Sequence, residues 1–147
     1  MHFETPLDFV ESRTYDEIDV GDSSSLVRTL RPEDVRLFAL MSGDMNPALA
    51  NGEFTHSGLF QDFIAHGMWC ASLLSTILGT QFPGPGTVLV DSSLHFARPV
   101  AIGDTITVTV TIGKKFARNR HIVLDCACFN QDHLLVVSGS AEVLAPT

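Results

Sequence analysis

The sequence predicts an α+β domain in which a long antiparallel sheet wraps one buried helix. Three observations carry this. Over residues 66–78, Met68, Trp69, Cys70, Ala71, Leu73, Leu74, Ile77 and Leu78 leave no broad polar face, and Gly79 closes the segment. A helix that is apolar all round must be wrapped on most sides. The run TITVTVTI alternates Thr with Ile106, Val108, Val110 and Ile112, the period of two of a half-buried antiparallel strand. Finally, everything beyond the turn-rich FPGPG reads as strand, so the strands follow the helix rather than alternate with it.

With 147 residues, 45% of them hydrophobic, the chain is long enough for one substantial core. Residues 1–14 show no clear period and read as an arm; residues 15–147 read as a single domain. The formal charge of −8, from 9 Lys+Arg against 17 Asp+Glu, argues against nucleic-acid binding, which needs a basic field. Cys70, Cys126 and Cys128 form no CxxC pair. Cys126 and Cys128 lie two apart in a strand-like run, so they share a face and bury as small hydrophobes in a reducing setting. The N-terminus MHFETPLDFVESRTYDEI has acids where a signal peptide needs a basic region and then an apolar one. The longest apolar stretch is broken by His66, Ser72, Ser75 and Thr76 and is short for a membrane span. A soluble, cytoplasmic protein is expected.

In chain order, SSSLVRTL reads as a first strand after the turn EIDVGD. Pro32 suits the first position of a helix, and Glu33 and Asp34 complement its dipole. Val35, Phe38, Ala39 and Met41 recur at helical spacing, and Gly43 ends the helix. From Asp44 to Phe63 the breakers Asn46-Pro47, Gly52 and Gly58 indicate a long loop. The central helix follows, then strands over TVLVDSSLHFARPV, TITVTVTI, HIVLDCACFN and LLVVSGSAEVL, with turns at Gly103-Asp104 and near residues 130–133. A sheet of about five or six strands results.

The chemistry concentrates in residues 42–79. Asp44 sits in a Gly-Asp-x-Asn-Pro turn, where Asp and Asn bond their own backbone with no further role required. His66 reads equally as a core histidine or a helix-start residue. Gly67, placed at the first turn of a buried helix, would leave its N–H open to an incoming carbonyl oxygen and add the positive end of the helix dipole; close packing alone is the other reading. No HxH, HxxxH or HExxH spacing occurs among the six histidines, so no metal site is expected. Lys114, Lys115, Arg118 and Arg120 form one basic cluster, read either as a solvated hairpin or as a phosphate-binding rim, with Arg98 a second cation of that kind.

SGDMNP, IAHGM and FARPVAIGDTITV occur here in the order and at the spacing found in MaoC-like (R)-specific enoyl-CoA hydratases, which the chain resembles over about residues 12–145. The resemblance extends to the N-terminal hydratase-like domain of bifunctional enoyl-CoA hydratase/phosphate acetyltransferases, which implies a hand-over to a fused acyltransferase domain near VLAPT. It implies a hot-dog fold, a homodimer with active sites at the subunit interface, and addition of water to a trans-2-enoyl-CoA. It implies no cofactor, the CoA thioester being the substrate. Asp44 matches the catalytic carboxylate, Asn46 a loop-orienting residue, Gly67 the donor to the thioester oxygen, and Ser75 a supporting serine, with His66 beside Gly67. Arg98, Lys114 and Lys115 are the candidates for the CoA phosphates.

The sequence departs from the family pattern D-x-N-P-x-H at Leu49, where the histidine would stand, and at Asn51, where an aspartate is often found. Leucine can neither move nor orient a proton, and losing one partner of an acid/base pair costs on the order of 10²–10⁴ in rate. His56 lies seven residues further along and reads as a solvated loop histidine. The resemblance thus implies a hydratase, impaired by Leu49. The alternative is a non-catalytic acyl-CoA-binding or assembly module. A thioesterase ranks last, because Asp62, read in the loop, is poorly placed for it.

Overall fold

A computed structural model describes residues 12–43 and 59–147, with residues 59–66 as backbone only. Asp44, Asn46, Leu49, Asn51 and His56 lie outside the described residues, as does the side chain of His66.

Five strands stand among the described residues: β1 (Ser23–Thr29), β2 (Val88–Phe96), β3 (Thr105–Phe116), β4 (His121–Phe129) and β5 (Leu135–Leu144). They form one sheet in the order β1-β3-β4-β5-β2, with every ladder antiparallel. The alternation in β3 holds residue by residue: Ile106, Val108, Val110 and Ile112 are buried while the intervening threonines are not. Each such burial is worth about 1.5–3 kcal/mol. Register carries the pattern across the sheet, Val108 opposite Cys128 and Val110 opposite Cys126, so both cysteines face inward and are buried. The β4–β5 turn is held by the Asn130 side-chain oxygen, which accepts the N–H groups of Asp132 (2.9 Å) and Leu134 (3.1 Å).

Helix α1 (Pro32–Ser42) begins on its proline, and Asp34 accepts the Arg31 N–H at 2.9 Å. Gly43 ends it at φ 79°, a left-handed conformation that glycine adopts without a Cβ penalty.

Helix α2 (Leu59–Thr76) is the central helix, and Trp69, Cys70, Leu73 and Leu74 are buried against the sheet. Its start corrects the sequence reading. The helix begins at Leu59, so residues 59–65 belong to it and not to a loop, and Asp62 lies on it. The run after Gly58 contains no breaker until Gly67, and one glycine inside a helix costs only about 1 kcal/mol. The far end differs as well. The chain does not stop at Gly79 but widens into a π-helical turn (Ile77–Gln81), in which the Thr80 hydroxyl donates to the Thr76 carbonyl at 2.6 Å. The Gln81 amide then donates to the Ser25 carbonyl at 2.7 Å, tying the helix end to β1.

Candidate active site

Opposite α2, the inner face of the sheet leaves a cleft of about 350 Å³. One face of the helix supplies Met68, Ser75 and Leu78, the sheet supplies Leu94 and Ala141, and Phe38 of α1 closes the side. The positions 68, 71, 72, 75 and 78 recur at helical spacing, so a single stripe of α2 and the turn after it runs the length of the cleft. The lining is mostly hydrocarbon with a few hydroxyls, the composition of a site for an apolar chain whose head group is fixed elsewhere.

Gly67 stands at one end of this stripe, buried, where β2 comes closest to the helix. A methyl group built on it would lie 2.6 Å from Phe96 Cδ1, so only glycine lets the Phe96 ring seat on α2. Gly67 is the ninth residue of α2 and not part of its first turn. Its N–H is directed at the preceding turn of the helix, and the open N–H expected from the sequence is not where the helix starts. The contact with Phe96 fits the close-packing reading.

Ser75 lines the cleft, exposed and on the same stripe as Met68 and Leu78. The three cations are not brought together. Arg98 is exposed two residues beyond Phe96, the end of β2. Lys114 and Lys115 pair with Val123 and Ile122 at the opposite end, where Ile122 faces Val143 and Val143 faces Leu89. Leu89 to Phe96 spans seven residues, roughly 23 Å of strand. Lys115 is also committed locally: its ammonium lies 4.3 Å from the Tyr15 ring centroid and donates to the Ile18 carbonyl, pinning the segment before β1 to the sheet.

Two features of the cleft carried no mark in the sequence. Ala141 and Cys126 are buried on its sheet side; the period of two predicted that Cys126 faces inward, but not that a cavity lies above it. Burial, with a contribution from neighbouring Asp125, pushes the Cys126 thiol up to about 11. Cys128 moves the same way, through a hydrogen bond with the Cys70 thiol on α2 and through burial. These are packing groups, protonated at neutral pH, and not nucleophiles. Of the histidines, His121 pairs with Glu142 across β4 and β5, Nδ1 to Oε2 at 3.3 Å. Among the described residues no group of three or more His, Cys, Asp or Glu is gathered around a metal-sized site.

A family model described as a MaoC like domain matches residues 5–125. The chain belongs to the MaoC-like family. The (R)-specific enoyl-CoA hydratase of Rhodospirillum rubrum is 39% identical over 132 residues, which cover 90% of this chain and 91% of that one. The 3-hydroxybutyryl-CoA dehydratase of Methylorubrum extorquens is 36% identical, over 90% and 83% of the two chains. Among solved structures, the unliganded R-hydratase PhaJ1 of Pseudomonas aeruginosa matches with a TM-score of 0.85 at 35% identity, covering 93% of this chain and 88% of that one. The α+β architecture, a five-stranded antiparallel sheet around a central helix, is the hot-dog fold of the MaoC-like hydratases.

Proposed function

We propose that this MaoC-like protein is a hydro-lyase that adds water to trans-2-enoyl-CoA thioesters and catalyses the reverse dehydration. The observation that carries the reading is the apolar cleft along α2, with Ser75 on its wall and Gly67 at one end, in a chain 39% identical to an (R)-specific enoyl-CoA hydratase. The acyl chain lies in the cleft with its thioester at the Gly67 end. Arg98, exposed at that end, suits the CoA phosphates better than Lys114 or Lys115. The water oxygen bonds to C3 while a proton goes to C2, leaving a 3-hydroxyacyl thioester. Asp44 is the carboxylate that manages the proton, and Asn46 orients its loop. Gly67 serves as donor to the thioester oxygen if the helix turn before it opens, since its N–H is otherwise directed along α2.

The partner is a second copy of the chain. β2 is a sheet edge whose Val88, Leu89 and Val90 are each half-exposed, and Leu89 is also on the rim of the cleft. An uncovered apolar edge strand invites pairing, and pairing there covers the cleft rim. Three free, buried thiols fit a reducing cytoplasmic setting, and among the described residues no helix is long and apolar enough to cross a membrane.

Leu49 favours a second reading, an acyl-CoA-binding module with the chemistry lost. Loss of the conjugated-thioester absorbance of crotonyl-CoA separates the two. Turnover by the native chain, abolished in Asp44→Asn, supports the hydratase; turnover only in Leu49→His supports the binding module. Silence from all three sinks the hydratase reading.

A further inference from the structure

We infer that the cleft is built for medium-length acyl chains of about eight to twelve carbons, and that Ala141 and Cys126 on the sheet set this limit. The inference rests on the acyl-CoA reading above and deepens it.

The length follows from the helix. From Met68 to Leu78 the lining stripe spans ten residues of α2 and the π-helical turn that follows it, roughly 15 Å. An extended chain advances about 1.2 Å per bond, so this span matches about twelve bonds. The volume agrees. A protein cavity of about 150 Å³ holds the six carbons of benzene, and the cleft, at about 350 Å³, is more than twice as large. A four-carbon chain would leave most of it unfilled.

The depth comes from side chains that are small where large ones would fit. Cys126, Gly139 and Ala141 are adjacent inward positions of β4 and β5: Cys126 pairs with Gly139, which in turn faces Leu94 of β2, while Ala141 faces Ser92. Elsewhere on the same inner face stand Ile122, Leu124, Val137 and Val143, all buried. Gly139 cannot be larger, because a Cβ there would lie 1.9 Å from the Ser93 carbonyl oxygen. Ala141, buried beside it, borders the open cleft. Its small side chain therefore sets the space beneath the acyl chain, and a larger one would occupy that space.

The test uses saturated thioesters, which cannot be hydrated, so it reads binding whatever the effect of Leu49. Calorimetric titration of the native protein with butyryl-CoA and octanoyl-CoA is expected to show octanoyl-CoA binding about tenfold or more tightly. In Ala141→Leu that ratio should fall towards about one. Ser92→Leu fills the same cleft from an exposed position and should lower the ratio too, a second route if Ala141→Leu folds poorly; thermal melting reports which variants fold. Equal affinity for the two ligands in the native chain, or a ratio unchanged in both folded variants, overturns the inference and leaves the acyl-CoA reading standing. Absence of binding for both thioesters overturns the acyl-CoA reading itself.

Discussion

Cys126 shows how one side chain serves two surfaces. It fills the core from β4, 4% exposed, and borders the cleft on its other side. Burial raises its thiol from an ordinary value of 9.0 to about 11. Below about pH 9 the thiol is protonated whether the chain is folded or not, and it contributes no pH dependence. Between about pH 9 and 11 the unfolded chain loses the proton while the folded one keeps it, so stability falls by at most roughly 1.4 kcal/mol per pH unit for this group. Cys128, shifted in the same direction, steepens the fall. Urea unfolding at pH 7, 9 and 10.5 should show that loss, and Cys126→Ala should lessen it. At pH 7 the native protein should react with thiol reagents far more slowly than the unfolded chain.

At the scale of elements, the contact between α2 and β2 decides the shape of the site. Gly67 brings the Phe96 ring against the helix, and the chain on either side of that contact forms the Gly67 end of the cleft. Gly67→Ala puts a methyl group 2.6 Å from Phe96 Cδ1. Against the small gain in helix propensity, the overpacking should destabilise by about 1–3 kcal/mol. Denaturant titration measures it, and Phe96→Leu in the same chain should recover part of the loss. Much of this element structure was legible in the sequence. The period of two in TITVTVTI carried β3, and the residues flanking Pro32 and Gly43 carried α1. The start of α2 was not legible, because Gly67 looks like a helix boundary when read alone. Its actual role depends on Phe96, 29 positions later, a packing relation that no local pattern encodes.

Taken whole, the molecule has two sheet edges of different character. β1 is tied at its inner face by Gln81 and bears serines and threonines, with Ser25 and Thr109 hydroxyls 2.8 Å apart across the ladder with β3. β2 presents Val88, Leu89 and Val90 to solvent. If the protein dimerises through β2, light scattering behind a sizing column should give twice the chain mass, and Val88→Asp should shift the population towards monomer. A native monomer would remove the dimer from the account. The same scale separates what sequence motifs tell about the site from what they do not. Ser75 sits on the cleft wall. Arg98 and Lys115, separate candidates for the CoA phosphates in the sequence, stand at opposite ends of the sheet, because distance between cations is set by strand register and not by composition.

The central claim is a stereospecific hydration that depends on one carboxylate. Its most direct measurement is chiral chromatography of the 3-hydroxybutyryl product after incubation of crotonyl-CoA with the native protein and with Asp44→Asn. The (R) product is expected from the native chain, with a yield at least about a hundredfold lower from the variant. A racemic or (S) product, or an undiminished yield from Asp44→Asn, would contradict it.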